Sequence, residues 1–292
     1  MKDEMIVRSY AKINITLDVL RRREDGYHEV KMIMQTVSLY DRIRVRKLKR
    51  EIRLNVNLPY LPTDNRNLAY QAAQLFFEKT GVQGGAEIQI EKHIPVAAGL
   101  AGGSGNAAAV LLALNELYHA ELSQDRLAEI GLEIGADVPY CIYGGTMLAE
   151  GIGENLTRLP QMPQCYIVLV KPQISVSTKK IYETLDMRQV AEHPDTNGVI
   201  RALEQKDVKG IAIRMFNVLQ QVTEQTHPEI AEIRSRFMEL GVEGTIMSGS
   251  GPTVFGVFEE KTAAEKAYQV MQQRYQETFL AETITERNGT GS

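Results

Sequence analysis

The N-terminal part of the chain alternates between apolar and polar residues. Between residues 8 and 20 the apolar positions are Ala11, Ile13, Ile15, Leu17 and Val19, and the polar positions between them are Lys12, Asn14, Thr16 and Asp18. Because successive side chains of a β-strand point to opposite faces, this alternation predicts a half-buried strand. Asp25-Gly26 then predicts a hairpin turn, which leads to a second strand with Val30, Met32 and Met34 on one face.

The rest of the pattern mixes strands and helices in both halves of the chain. We predict further strands over 42–48, 86–91, 166–170, near Thr245 and over 253–258, and helices over 67–79, 104–118, from Ser123 and from about Thr262. Ser123 is expected to cap its helix and Gly135 to end it. The proline-containing segment 160–163 indicates a linker, so we predict an α+β protein with two domains, 1–160 and 161–292.

Composition and charge exclude several classes of function. The chain has 292 residues, of which 43% are hydrophobic, and a formal net charge of −4, which gives no general attraction to nucleic acid or to anionic membranes. The uncharged run 94–115 contains four glycines, so it favours a glycine loop and a buried helix over a membrane span. The basic stretch 42–53 alternates with apolar residues, which favours a solvated strand face over an RNA-binding surface.

Cysteine and histidine usage points to a reduced, cytoplasmic protein. Cys141 and Cys165 have no metal or redox spacing, and the five histidines show no metal-binding pattern. The first residues are acidic and lack the apolar segment of a secretory signal. We therefore expect a cytoplasmic protein that holds no structural metal. The sequence leaves the oligomeric state open between a monomer and a homodimer.

Residues 95–109 form the strongest single motif. This run contains Gly99, Gly102, Gly103 and Gly105, follows a predicted strand and opens a predicted helix. Glycines allow close approach of the backbone to an anion, and free amides at a helix start bind phosphate. The chain has no Gly-Lys dipeptide and no G-x-G-x-x-G run, so the motif is neither a Walker loop nor a dinucleotide fingerprint. The alternative is a glycine-rich turn that packs a helix tightly on a sheet.

Five segments of the chain resemble the GHMP kinases. Residues 95–109 resemble the second motif of that superfamily, residues 247–255 its third motif, and residues 135–139 its segment with a catalytic aspartate. Residues 11–14 and 25–28 resemble the signature of one family within it, the diphosphocytidyl-methylerythritol kinases. The resemblance implies the two-domain GHMP kinase fold, with the active site in the cleft between the domains. It also implies ATP-dependent phosphorylation of a small molecule that carries a cytidine diphosphate group.

The resemblance assigns Lys12 and Asp137 to catalysis. Lys12 is expected to stabilise developing charge, and Asp137 to accept or orient the proton of the substrate hydroxyl, with the ammonium keeping the carboxylate ionised. From the residues alone, Lys12 is a solvated lysine on a polar strand face and Asp137 a helix cap.

The resemblance also implies two sets of binding residues. ATP, with Mg²⁺ possible near Ser104, is expected at Asn67, Leu68, Pro95, Gly99, Leu100, Ala101, Gly102, Gly103, Ser104, Gly105 and Asn106. The second substrate is expected at Asn14, Tyr27, His28, Tyr182, Ser248, Gly249, Ser250 and Gly251, with the aromatic residues on the cytosine. Simpler alternatives are surface packing for Tyr27 and His28, a helix start for Asn67, and a plain hairpin loop for 248–252.

One position departs from the family pattern. The family usually has two serines where this chain has Ser104-Gly105, and we expect Gly105→Ser to raise ATP affinity or kcat modestly. Two alternative functions stay open: a GHMP kinase for another alcohol, such as mevalonate or homoserine, and a nucleotide-binding sensor that has lost catalysis.

Overall fold

The computed structural model describes residues 2–186, 190 and 192–284, and this part of the chain forms eleven strands and ten helices. In the first half they are β1 (Glu4–Arg22), β2 (His28–Leu48), β3 (Ile52–Val56), α1 (Leu68–Thr80), β4 (Gly85–Glu91), α2 (Gly102–Tyr118), α3 (Gln124–Leu132), α4 (Asp137–Tyr143), β5 (Thr146–Gly151) and β6 (Asn155–Arg158). In the second half they are β7 (Tyr166–Lys171), α5 (Thr178–Thr184), α6 (Thr196–Glu204), α7 (Val208–Ala212), β8 (Phe216–Asn217), α8 (Val218–Thr226), α9 (Glu229–Glu239), β9 (Gly244–Met247), β10 (Val254–Phe258), α10 (Lys261–Gln272) and β11 (Glu277–Glu282).

The strands form two sheets, which confirms the α+β class. The first sheet has the order β3-β4-β2-β1-β8, with β5 and β6 extending from β2, and helices α1 and α2 pack on it. The second sheet has the order β11-β7-β10-β9 and packs against α9 and α10. The predicted boundary at residue 160 falls between β6 and β7, yet β8 of the second half pairs with β1. The domain boundary stays a prediction.

The predicted hairpin at Asp25-Gly26 is confirmed, but the strand after it is longer than expected. The Arg23 N–H donates to Tyr27 O at 2.8 Å across the turn. The two predicted strands that follow are one continuous strand, β2, which runs antiparallel to β1 over nearly its whole length. An alternating pattern interrupted by polar residues hid this continuity.

The expectation of a half-buried first strand is wrong, because both faces of β1 are buried. Asn14 and Thr16 on the polar face have no exposed surface, and Asp18 has 6%. Protein groups rather than water cover this face: Asn14 N–H donates to Ser248 Oγ at 3.3 Å, and Asp18 Oδ1 lies 2.8 Å from His193 Nδ1. The polar residues of β1 therefore face the interior of the protein.

The start of α3 was predicted correctly, but its end was not. Ser123 caps α3 as expected, since its hydroxyl accepts from Arg126 N–H at 3.1 Å. The expectation that Gly135 ends this helix is wrong, because α3 ends at Leu132 and a turn leads into α4. Gly135 does not have the positive φ of a glycine cap. Among the described helices, none is long and apolar enough to cross a membrane.

The end of the described chain joins the two sheets. Thr283 N–H donates to Cys165 O and Cys165 N–H donates to Thr283 Oγ1, both at 3.1 Å. Thr283 also forms an antiparallel bridge with Val37 of β2, and Gln35 Nε2 donates to Ile284 O at 2.9 Å. These contacts fix the edge of the second sheet against β2.

The basic strand predicted over 42–48 carries paired charges. Arg44 lies 2.6 Å from Glu4, and Arg46 lies 2.6 Å from Glu87, both across neighbouring strands. These arginines are partly exposed on the outer face of the first sheet. Paired charges on a strand face support the interpretation of this stretch as a solvated surface.

Candidate active site

A cleft of about 1100 Å³ lies between the first sheet and the second half of the chain. Its walls come from β1, β2, the segment before α1, the loop between β4 and α2, the start of α4, helix α5 and the loop 249–251. Of the 21 predicted site residues, 18 line this cleft. The sequence motifs, which are far apart along the chain, therefore meet in one place.

The loop between β4 and α2 forms the floor at one end of the cleft. Ala97, Gly99 and Ala101 have φ values of 51°, 74° and 54°, so every second residue is left-handed. Left-handed residues at alternate positions are typical of concave backbone segments whose amides bind anions. Two of the three are alanines, for which this conformation costs of order 1–3 kcal/mol and is found mainly at functional sites.

Helix α2 begins without a side-chain cap. Ala101 at its N-cap makes no side-chain hydrogen bond, and the first turn contains no acidic residue. The free N–H groups and the positive end of the helix dipole are therefore available to an anion. The hydroxyl of Ser104 lines the cleft and has no hydrogen-bond partner within the described part of the chain. These features fit the phosphate groups of ATP.

Lys12 lies beside this loop, on the buried polar face of β1. Its Nζ donates to Asn14 Oδ1 at 2.6 Å and to Gly99 O at 3.0 Å, and the residue is 5% exposed. An ammonium has three donors, so one remains for a ligand in the cleft. Lys12 is thus a held cation and not the solvated lysine of the simpler interpretation.

Asp137 lines the same cleft as the first residue of α4. Its side chain does not cap the helix, so the capping alternative is wrong, and its carboxylate has no hydrogen bond or ion pair with any described residue. Lys12 and Asp137 line the same cleft and no salt bridge joins them, since the Lys12 ammonium donates to Asn14 and Gly99. Their roles in catalysis stay predictions.

Aromatic side chains line the opposite end of the cleft. The rings of His28 and Tyr182 pack 5.1 Å apart at 35°, and Tyr27 is 62% exposed at the rim. Burial, together with the nearby Asp137 carboxylate, raises the pKa of Tyr182. Burial lowers the pKa of His28, and the Arg22 guanidinium lowers it further. The neutral form of His28 is therefore favoured, and a neutral imidazole can both donate and accept a hydrogen bond.

The loop 248–251 closes the cleft from the second half of the chain. Ser248 Oγ donates to Gly99 O at 2.9 Å, and Ser250 Oγ lies 2.7 Å from Thr178 Oγ1 of α5. A Cβ on Gly99 would lie 2.2 Å from Ser248 O, so only glycine allows this approach. Asn217, which the sequence did not single out, holds the loop by donating to Met247 O and Gly249 O at 2.8 Å each.

Three predicted site residues do not line the cleft. Leu100 is 1% exposed and Ser248 is fully buried beneath the loops. Gly105 faces β1, where a Cβ would lie 2.7 Å from Ser9 Oγ. A serine at this position would thus meet protein atoms and not a phosphate, which removes the reason for the expected gain from Gly105→Ser.

The end of the cleft beside the start of α2, where ATP is expected, also contains residues that the sequence analysis did not single out. Val56, Leu61 and Ile90 provide apolar walls, and Lys92 lines the cleft near the loop between β4 and α2. Asn67 lines this end as predicted, and it also caps α1, because its Oδ1 accepts from Ala69 N–H at 3.0 Å. The helix-start alternative for Asn67 is confirmed, and its role toward ATP stays a prediction.

Comparison with known proteins agrees with this arrangement. Residues 67–145 match the family model of the GHMP kinases N terminal domain, and residues 199–277 match that of the GHMP kinases C terminal. Curated relatives named 4-diphosphocytidyl-2-C-methyl-D-erythritol kinase occur in Clostridium novyi (strain NT) and Clostridium botulinum (strain Eklund 17B / Type B). Each is 48% identical over 280 residues, which are 96% of this chain and 100% of the relative.

The chain belongs to the GHMP kinases, in the family of the 4-diphosphocytidyl-2-C-methyl-D-erythritol kinases. As a GHMP kinase it is an ATP-dependent phosphotransferase. A crystal structure of 4-(cytidine 5'-diphospho)-2C-methyl-D-erythritol kinase is 34% identical with a TM-score of 0.82, and the match covers 96% of this chain and 99% of that one. A homoserine kinase from Cytophaga hutchinsonii ATCC 33406 is 21% identical with a TM-score of 0.79, covering 99% and 97%, and shows the shared fold alone.

We expect Gly105→Ser to lower the stability of this GHMP kinase without raising its affinity for ATP. The new Cβ would crowd Ser9 Oγ at 2.7 Å in a fully buried position, and overpacking of this kind costs about 1–3 kcal/mol. Replacing a helical glycine by serine stabilises the helix by roughly 0.5 kcal/mol, which is less than the cost of overpacking. Thermal unfolding should show a Tm lower by about 2–8 °C, with KM for ATP unchanged or higher.

Gly103→Ser is the matched control for this stability measurement. On the same helix, its Cβ would meet only Leu68 Cδ1 at 3.4 Å, an ordinary contact, so its Tm should change little. The double variant Ser9→Ala/Gly105→Ser should recover part of the lost Tm, because the crowded hydroxyl is absent. Higher ATP affinity in Gly105→Ser would contradict this packing argument.

The second prediction concerns the protonation of His28. Because burial and Arg22 both disfavour the imidazolium, its titration midpoint should lie below the ordinary value of 6.5. The folded-state pKa lies below the unfolded value, so this residue weakens stability as the pH falls below that unfolded value. Histidine ring signals followed by NMR across a pH series measure the midpoint. In Arg22→Gln the titration midpoint of His28 should rise but stay below 6.5, because burial still disfavours the imidazolium. A wild-type midpoint at or above 6.5 would refute the assignment.

Proposed function

We propose that this enzyme transfers the γ-phosphoryl group of ATP to the 2-hydroxyl of 4-diphosphocytidyl-2-C-methyl-D-erythritol. The observation that carries the proposal is the division of one cleft into three parts: an anion-binding loop, an aromatic end at His28 and Tyr182, and Lys12 with Asp137 between them. The relatives with this substrate in their name match nearly the whole chain. The reaction belongs to the non-mevalonate pathway to isoprenoid precursors, and its expected compartment is the cytoplasm.

In this proposal the protein acts mainly by positioning and by electrostatics. The substrate hydroxyl oxygen forms a bond to the γ-phosphorus as the bond to the bridging oxygen breaks, and ADP leaves with that electron pair. The free carboxylate of Asp137 accepts or orients the hydroxyl proton. The remaining donor of Lys12 stabilises the charge on the transferring group, and Asn14 holds that ammonium in place.

The nucleotide is proposed to occupy the end of the cleft beside α2. The uncapped start of α2 and the left-handed loop before it would bind the phosphates through backbone N–H groups. The hydroxyl of Ser104, which has no protein partner among the described residues, would face the metal-bound phosphates. Mg²⁺ supplied with ATP would neutralise charge on the phosphate oxygens.

The cytidine group is proposed to bind at the aromatic end. A base can stack on a tyrosine ring, and neutral His28 can both donate to and accept from its polar edge. Tyr27 at the rim is exposed and so is available to cover the base. This end separates the proposal from a kinase for mevalonate or homoserine, since neither alcohol carries an aromatic base.

The proposal predicts ADP release that requires ATP and the cytidine substrate together. Lys12→Met and Asp137→Asn should each lower kcat by roughly 10²–10³-fold, because each removes a charge that acts on the reacting atoms. KM values should change less, since neither residue supplies the main contacts to the adenine or cytosine ends. A coupled assay of ADP formation at saturating substrates measures both constants.

Lys266→Met is the control for removal of a lysine. Lys266 lies on the exposed face of α10, outside the cleft, so its kcat should equal that of the wild type. ADP release with mevalonate or homoserine but not with the cytidine substrate would assign a different alcohol. ATP binding without turnover on any of these alcohols would favour the sensor.

A further inference from the structure

A buried carboxylate lies beneath the nucleotide end of the cleft and takes no part in the mechanism above. Asp41 is on β2, and its side chain has no exposed surface. Its Oδ1 accepts from His93 N–H at 2.7 Å and from Ile94 N–H at 2.8 Å. Its Oδ2 accepts from Lys92 Nζ and lies 2.8 Å from an end of the Asn106 side-chain amide that is surrounded only by acceptors. We assign the amide nitrogen to that end, so that Asn106 donates to Asp41. These residues, with Ser9, are here named the Asp41 cluster.

The four donors account for the whole bonding capacity of this carboxylate. An ionised carboxylate has about four acceptor sites, and Asp41 uses two on each oxygen. Lys92 is its countercharge, and the Lys92 side chain is only 5% exposed. A buried charge is tolerated when it is paired and fully hydrogen-bonded, and removal of either partner leaves the other uncompensated. The carboxylate of the Asp41 cluster therefore has no spare acceptor site.

The Asp41 cluster joins three segments that form the nucleotide end. Residues 92–94 lead directly into Pro95 and the phosphate loop, and Asn106 belongs to the first turns of α2. The Asn106 amide also lies 3.0 Å from Ser9 Oγ and 3.0 Å from Gly102 O. One carboxylate thus fixes the entrance to the loop and the helix at its exit against β2.

The position of Lys92 shows why a carboxylate is needed here. A Cβ on Gly102 would lie 3.0 Å from Lys92 Nζ, so the ammonium sits against the first turn of α2. A cation at a helix N-terminus is unfavourable, because the dipole there is positive. Asp41 offsets this repulsion and keeps Lys92 beside the place where phosphates would bind.

We infer that Asp41 is a positioning residue for ATP, which holds residues 92–94 and the start of α2 in the conformation that seats the triphosphate. Asp41 does not line the cleft, so it acts through Lys92, Asn106 and the loop amides. The inference rests on the proposed role of residues 95–106 in nucleotide binding. Its effect should be confined to ATP, because the cluster lies away from the aromatic end.

Asp41→Asn tests the inference by replacing one of the two acceptor oxygens with a donor. Calorimetry with AMP-PNP and Mg²⁺ should show a Kd raised about tenfold or more, since hydrogen bonds to a charged group are lost at the loop. KM for ATP should rise in parallel, while KM for the cytidine substrate stays within about twofold of wild type. Ser9→Ala, a milder change that removes one acceptor from Asn106, should raise the Kd for AMP-PNP by about two- to fivefold.

Glu277→Gln is the matched control, because it removes the carboxylate partner of the partly buried Lys171 in the second sheet, outside the cleft. Glu277→Gln should lower Tm and leave the affinities for AMP-PNP and for the cytidine substrate unchanged. An equal loss of affinity for AMP-PNP and for the cytidine substrate in Asp41→Asn would indicate general destabilisation and would overturn the inference. Unchanged binding of AMP-PNP by Asp41→Asn would overturn it as well. If Asp41→Asn does not fold, unchanged AMP-PNP binding by Ser9→Ala overturns it. If the wild type itself does not bind AMP-PNP, the proposed function fails, and the inference with it.

Discussion

The carbonyl of Gly99 is the point on which the arrangement of the cleft depends. It accepts hydrogen bonds from Lys12 Nζ at 3.0 Å and from Ser248 Oγ at 2.9 Å, and so connects the first strand, the phosphate loop and the loop before β10. The Lys12 N–H also donates to Leu100 O at 3.1 Å. Because a side chain on Gly99 would collide with Ser248 O, the three segments can approach this closely only around a glycine. A single backbone carbonyl therefore sets the distance between the cation and the anion-binding loop.

This arrangement buries polar groups, and hydrogen bonds to other protein groups offset the free energy lost when they leave water. Burying a polar group without a partner costs about 1–3 kcal/mol in proteins, which makes an incomplete network worse than an apolar core. Asn14 illustrates the solution, because its backbone N–H, amide nitrogen and amide oxygen all have partners. In the second half of the chain, the Asn217 amide donates to the carbonyls of Met247 and Gly249 and so holds the loop 248–251. Around the cleft, the buried polar groups of Asn14 and Asn217 thus have protein partners before any ligand binds.

The sequence allowed the prediction of local features and missed those that depend on distant contacts. Alternation predicted β1, and the glycine run predicted a loop that opens helix α2, since both signals are short-range. The burial of the polar face of β1 could not be predicted, because Ser248, which covers Asn14, lies 234 residues away. The hydrogen bonds of the Lys12 ammonium could not be predicted for a related reason, since Gly99, which accepts one of them, lies 87 residues away along the chain. The sequence did contain one signal for Asp41. This acidic residue lies in phase with the apolar, buried positions Ile43 and Val45 of the same strand.

Gly105 shows how a departure from a family pattern should be weighed against packing. From the motif alone, the absence of a serine hydroxyl at Gly105 suggests the loss of a contact to phosphate. In the fold, the α-carbon at this position faces Ser9 and Tyr10 of β1, and Asn106 beside it is held by Asp41 and Ser9. The small residue therefore permits α2 to lie close to β1, which in turn lets Ser9 reach the Asn106 amide. The tight packing of α2 on β1 and the position of the amides at the start of α2 depend on the same contact, so a larger residue at Gly105 would disturb both.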